Sequence, residues 1–360
     1  MNNRTLDNDF EDDLRSGILH ELLAYVQNDD TLMLATRGTY ITIYYRGGRI
    51  LEIKQEKDLD TASGKVYTAS FNSSYAEGIQ LPYLPREFTS AEEWGAWLER
   101  HKDLKCADDV RTWLEALPRL KYIMDVYFHK NRACEREIQQ HIARENNDSP
   151  SSQQTNYFVA DIERTENEHS NCRFDMLAFC WPRSKRQSGS RKVSLALVEL
   201  KYGDGSLNGP SGIVEHFQQY VDLVESADTL NELYNDSKKQ INQLVRLGIF
   251  NHSSMNEDFQ VDVLEKQPEF ILIFASDNVH STILENELGN LERHPDFTKY
   301  KDKVKFYIGI AGYALYQKCL CNFENFMLYR KCLHNPDNCM SKLRRIEEDS
   351  QDMAKRRNHP

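Results

Sequence analysis

The chain has 360 residues, with 45 Lys and Arg against 56 Asp and Glu, a formal charge of −11. It is 40% hydrophobic and 28% charged, enough apolar surface for sizeable packed cores, which excludes wholesale disorder and fibrous repeats. The longest apolar runs, such as FILIFA and YIGIAG, fall far short of the ~20 residues a bilayer helix needs, and at roughly 150 residues per domain the length suggests two domains.

The opening MNNRTLDNDFEDDLRSG is acidic and has no apolar core of signal-peptide type. Eight cysteines are not spaced like a secreted disulfide scaffold, so reduced thiols and a cytoplasmic location are expected. TLMLAT, TYITIYYRG, RILEIK and KVYTASF then alternate apolar with polar residues as half-buried strands do. Gly47-Gly48 reads as a tight hairpin turn. AEEWGAWLERH and ADDVRTWLEAL are helical, with Ser90 and Glu93 in capping-box spacing. Pro118 should stop or restart the helix, and a second helix is expected over 119–145. ENNDSPSSQQTN reads as a loop.

Beyond it the texture changes. YFVADIER, CRFDMLAF and VSLALVELKYG read as strands, the last apolar on both faces and so central in a covered sheet. Residues 212–226 form a helix with Ile213, Phe217, Tyr220, Val221 and Val224 on one stripe. EFILIFAS and KVKFYIGIAG are two further buried strands, and the last residues are a charged helix or tail. The expected architecture is α/β (α+β): a β-rich module with a helical connector over 1–118, a mixed central sheet flanked by helices over 119–330, and a charged tail over 331–360.

Glu199 and Lys201 stand two apart in the apolar strand, so they share a face about 6.6 Å apart. Charge inside such a strand is costly to bury, which marks a site. Asp175, in the preceding strand, can lie beside Glu199, with Asp161 as the fallback acid one strand earlier. Two adjacent carboxylates repel, a divalent cation relieves that repulsion, and an all-oxygen donor set suits Mg²⁺ or Mn²⁺. Lys201 can then orient a water or offset phosphate charge, which suits phosphodiester hydrolysis. In RACEREIQQHIAREN, Glu135 lies on the stripe of Ile138 and Ile142, and Glu137 on the polar side with His141 and Arg144, so Glu135 is preferred as an accessory ligand.

The pattern FD(x)23ELK, with an upstream helix glutamate and a downstream helix carrying Gln and Tyr, resembles the PD-(D/E)xK nuclease superfamily over residues 119–312. Phe174 stands where the family pattern has Pro. The resemblance implies a restriction-endonuclease-like core in which Asp175 and Glu199, with the Leu200 carbonyl, hold Mg²⁺ or Mn²⁺ and Lys201 assists the attacking water. It also implies Glu135 as an outer ligand and Gln219, or Gln218, as an orienting residue. The expected activity is a metal-dependent DNA endonuclease, serving in defence against foreign DNA, alone, as a homodimer or within a larger complex. RNA is the alternative substrate, and a catalytically inactive nucleic-acid-binding scaffold is the alternative of a different class.

His216 and Gln219 share a helix face, three apart. The loop PRSKRQSGSRK carries Arg183, Lys185, Arg186, Arg191 and Lys192 and is expected to grip phosphates beside the active site. An acidic chain must make such contacts through local patches. Cys319, Cys321, Cys332 and Cys339, with His334, match no common zinc spacing and are expected as ordinary thiols. Arg37, Arg46 and Arg49 near Tyr40, Tyr44 and Tyr45 fit a sheet core with exposed turns better than a platform for single strands.

Overall fold

The computed structural model describes residues 4–57, 65–76, 91–165, 173–256, 258–275, 281–308, 313, 315 and 319–334. Chain contacts divide it into two compact units. The first comprises Met1–Gln153, Ala160–Ile162 and Asn235–Asp262; the second comprises Gln154–Val159, Glu163–Tyr234 and Val263–Pro360. Among the described residues, no helix is long and apolar enough to cross a membrane.

The first unit opens with helices α1 (Asn8–Arg15) and α2 (His20–Asn28). An antiparallel sheet follows, with strands β1 (Leu32–Thr36), β2 (Tyr40–Tyr45), β3 (Gly48–Lys57), β4 (Lys65–Ser70) and β5 (Asp103–Leu104) in that spatial order. The alternating sequences form the strands expected of them, because Ile41, Ile43, Ile50, Leu51 and Ile53 bury one face. Helix α3 (Ala91–Arg100) lies between β4 and β5 in sequence; the Ser90 cap falls outside the described residues.

Two local expectations change. The β2–β3 turn is centred on Arg46 and Gly47, both with positive φ (50° and 74°), and Gly48 already pairs with Tyr45 inside the ladder. Two positive-φ residues are what a two-residue hairpin matched to strand twist requires. Pro118 does not end its helix. Helix α4 runs unbroken over Ala107–Lys130, and the break comes later, before α5 (Cys134–Asn147). Pro118 sits on the exposed side, while Leu117, Leu120, Ile123 and Met124 are fully buried, so packing outweighs one lost helical hydrogen bond.

The second sheet has seven strands: β6 (Tyr157–Thr165), β7 (Arg173–Cys180), β8 (Lys192–Lys201), β9 (Asp262–Val263), β10 (Glu269–Phe274), β11 (Val304–Tyr307) and β12 (Leu320–Cys321). Its order is β12-β11-β10-β8-β7-β6, with β9 pairing β8 off that path. Strand β8 is antiparallel to β7 and parallel to β10, so the sheet is mixed. Every residue from Leu195 to Leu200 is buried, as a central strand demands. The short helix α6 (Arg183–Gln187) lies in the β7–β8 connection, and α7 (Ile213–Glu225), α8 (Ala227–Arg246), α9 (Thr282–Glu292), α10 (Phe297–Tyr300) and α11 (Phe323–His334) complete the helices described. Leu223 rather than Val224 completes the buried stripe of α7. Phe217 and Tyr220 of α7 pack on Phe270 of β10 with ring centroids 6.2 and 5.2 Å apart, which holds the helix against the sheet near the amino end of β10.

Candidate active site

The pairing of β7 with β8 ends with Met176 matched to Val198; Asp175 and Glu199 are the next residues along the two strands, and the same count would set them opposite each other. Directly opposed residues project from the same face of a sheet. Asp175 is half-buried, and its Oδ2 accepts a hydrogen bond from the Leu200 amide at 2.8 Å.

Glu199 and Lys201 project together from the end of β8, as the alternation requires. Lys201 Nζ donates to Glu199 Oε1 at 2.7 Å and to the main-chain carbonyl of Ser211 at 2.5 Å. The two side chains are 2% and 3% exposed. The segment between β8 and α7 makes this contact through two short 3-10 turns, Asp204–Ser206 and Gly209–Ser211. It turns on Gly203 and Gly209, whose φ angles of 71° and 72° suit residues without a Cβ.

The other carboxylate oxygen meets His216, which the sequence places on one helix face with Gln219. His216 Nδ1, on α7, stands 3.2 Å from Glu199 Oε2. The contact lacks hydrogen-bond alignment, so both atoms are buried without a hydrogen-bond partner among the described residues. Burial pushes the Glu199 carboxyl up, but His216 and Lys201 outweigh it and hold the group below the usual carboxylate range. The signal for His216 was its place on the buried stripe, one residue before Phe217.

Gln219, three residues on, accepts a hydrogen bond from the Arg173 amide at 3.2 Å, which ties α7 to the start of the Asp175 strand. Gln218 is occupied elsewhere: it donates to Asp222 at 2.7 Å, and its Oε1 lies 2.9 Å from His294 Nε2. Asp175, Glu199, Lys201, His216 and Gln219 thus belong to the second unit.

Glu135 belongs to the first unit, as does Glu137, which pairs with Arg46 at 2.9 Å. Asp161, fully buried, is also in the first unit, ion-paired with Arg37 and with Arg4, the latter at 3.4 Å. An acid neutralised by two guanidinium groups is poorly suited to a metal, so the fallback is withdrawn. Arg46 and Arg49 likewise pair with carboxylates, which leaves the tyrosine-rich strands as sheet structure.

The basic loop is not beside the cluster. It joins the end of β7 to the start of β8, whereas Asp175 and Glu199 lie at the opposite ends of the two strands. The five steps from Asp175 to Cys180 amount to about 17 Å. Arg186 also serves the fold: its Nη1 donates to the carbonyls of Thr155 and Trp181 at 2.7 and 2.6 Å, and its guanidinium lies over the Trp181 ring. Lys185 reaches back to the Lys192 carbonyl at 3.3 Å, while Arg183, Arg191 and Lys192 are exposed. Cys321 is buried and Cys319 half-buried; Cys339 lies outside the described residues.

No protein-family model, curated protein or solved structure matches this chain.

Chemically, the cluster offers hard oxygen donors: two carboxylates on one face and the main chain between them. Among the described residues, no group of three or more His, Cys, Asp or Glu side chains converges. Magnesium does not require one, since it keeps several waters and is held by one or two carboxylates. The buried Glu199 Oε2, without a hydrogen bond, is the atom that such an ion would satisfy. The residues therefore fit a hard divalent cation by donor type.

Proposed function

We propose that the second unit is a metal-dependent nuclease with a restriction-endonuclease-like core, acting on DNA. The observation that carries the reading is the bond from the Leu200 amide to Asp175, which sets that carboxylate against the strand segment Glu199–Lys201, with Lys201 on the same face as Glu199 and bonded to it. The sequence of elements adds support: from α5 the chain runs through strands β6, β7 and β8, with the short α6 between the last two, then helices α7 and α8 and strands β9 and β10.

In this reading Asp175 and Glu199, with the Leu200 carbonyl, would hold Mg²⁺ or Mn²⁺. The ion would supply positive charge for the phosphate and a more acidic water. Lys201 carries three N–H donors. Two of its bonds go to Glu199 and Ser211, and the remaining capacity would orient the attacking water. The water oxygen bonds to phosphorus, one ester P–O bond breaks, and the leaving oxygen takes up a proton. His216 would act through Glu199, holding its carboxylate in place as a positioning residue, and Gln219 would fix α7 against the Asp175 strand.

A second reading has its own support. Lys201 and His216 already compensate a nearly sealed Glu199, as in a structural ion cluster of a nuclease-fold protein that binds nucleic acid without cutting it. Supercoiled plasmid with Mg²⁺ separates the two readings. Nicking that EDTA and Lys201→Ala both abolish supports the enzyme; tight DNA binding with no nicking supports the scaffold; cleavage of RNA alone makes RNA the substrate.

A further inference from the structure

The first unit contains a cavity of about 340 Å³ between the β2–β3 turn and α5, whose lining includes Tyr45, Arg46, Glu137, Gln140, His141 and Arg144. Most of this wall is committed. Arg46 is bound to Asp125 and Glu137. The Gln140 amide is fully used, accepting from the Gly47 amide at 2.6 Å and donating to the carbonyls of Thr31 and Tyr44 at 3.0 and 3.2 Å. These bonds hold the wall rigid.

Arg144 is the exception. Its Nε is buried without a hydrogen-bond partner among the described residues. Burial pulls its pKa down, against the pull of Asp30, Asp148 and Asp29, none of which forms an ion pair with it. Asp29 is instead bound by Lys121 and Thr31. A buried guanidinium N–H without an acceptor is costly, and a fork of N–H donors suits oxyanions.

We propose that this cavity binds a small organic phosphate, with Arg144 as the anchoring cation. The Arg144 fork can bond two oxygens of a phosphate monoester at once, whereas Arg46, also in the lining, is held by Glu137 and His141 stands 3.6 Å from Glu145. The volume lies at the low end of the roughly 300–1,000 Å³ of small-molecule sites, more than a bare phosphate needs and enough for a nucleoside monophosphate. The site is independent of the cluster around Glu199, which belongs to the second unit.

The test is calorimetric titration of the full chain with adenosine 5′-monophosphate, inorganic phosphate and adenosine. Adenosine 5′-monophosphate should bind with a Kd of about 1 mM or tighter, and Arg144→Gln should weaken it at least about tenfold. Ile138→Trp, which fills the cavity from its wall, should abolish binding with the circular dichroism spectrum unchanged, and it decides the matter if Arg144→Gln does not fold. Inorganic phosphate binding as tightly as the nucleotide also supports the site and makes free phosphate its ligand. Binding of adenosine as tight as that of its monophosphate, undiminished binding in the folded variants, or no binding of either phosphate overturns the proposal.

Discussion

Replacing Lys201 by methionine tests the buried pair at the end of the central strand. The Glu199 carboxylate, 2% exposed, would lose its 2.7 Å partner and keep only the 3.2 Å contact with His216. Removing one member of a buried pair costs about 3–5 kcal/mol, because the other charge stays desolvated. With a urea slope of about 2 kcal/mol/M, the midpoint of the second unit's transition should fall by roughly 1.5–2.5 M. The double variant Glu199→Gln/Lys201→Met removes both charges and should recover most of that loss. Urea unfolding followed by circular dichroism and tryptophan fluorescence reads both effects. The pH dependence has a definite sign. Glu199 titrates below its ordinary range, so its contribution is complete above the unfolded carboxylate pKa and is lost as pH falls through the depressed folded value. A midpoint unmoved by Lys201→Met, or a double variant no better than the single one, would refute the reasoning.

Two further substitutions test the first unit. Gly47→Ala places a Cβ at φ +74° and within 2.4 Å of the Arg136 carbonyl carbon, so it should destabilise by about 2–4 kcal/mol in a thermal melt; an unchanged Tm would contradict the close approach of α5 to the turn. Pro118→Ala restores a helical N–H on an exposed face of α4 and should stabilise by about 1–3 kcal/mol, less whatever chain freedom the unfolded state regains; a lower Tm would mean that the helix needs its proline.

The first-unit strands were legible because burying one face of a sheet leaves a period of two in the sequence, which Ile41, Ile43 and Ile53 carry, and β8 was legible as an unbroken apolar run. The paired residues Glu199 and Lys201 were legible for the same reason: charge within a buried run has few structural excuses. Pro118 misled because its cost is local while the burial of Leu117, Leu120 and Ile123 is tertiary, and no short window displays it. The turn shifted by one residue because Arg46 tolerates a left-handed conformation when Asp125 and Glu137 hold its guanidinium. His216 ranked below Gln219 in the sequence because a histidine on an amphipathic helix shows nothing of the carboxylate it meets. The place of the basic loop follows from strand direction, which its composition does not display. In an antiparallel pair, the connecting loop sits at the end away from residues that open the first strand and close the second.

The bond between Lys201 and Ser211 uses a carbonyl of the main chain, not the hydroxyl. Position 211 can therefore drift among residue types without releasing the ammonium, while inserting or deleting one residue between 202 and 212 would misplace the acceptor. Relatives of this chain should vary freely in side chain at 211 and scarcely at all in the length of that segment, a signature that a search for invariant letters would overlook.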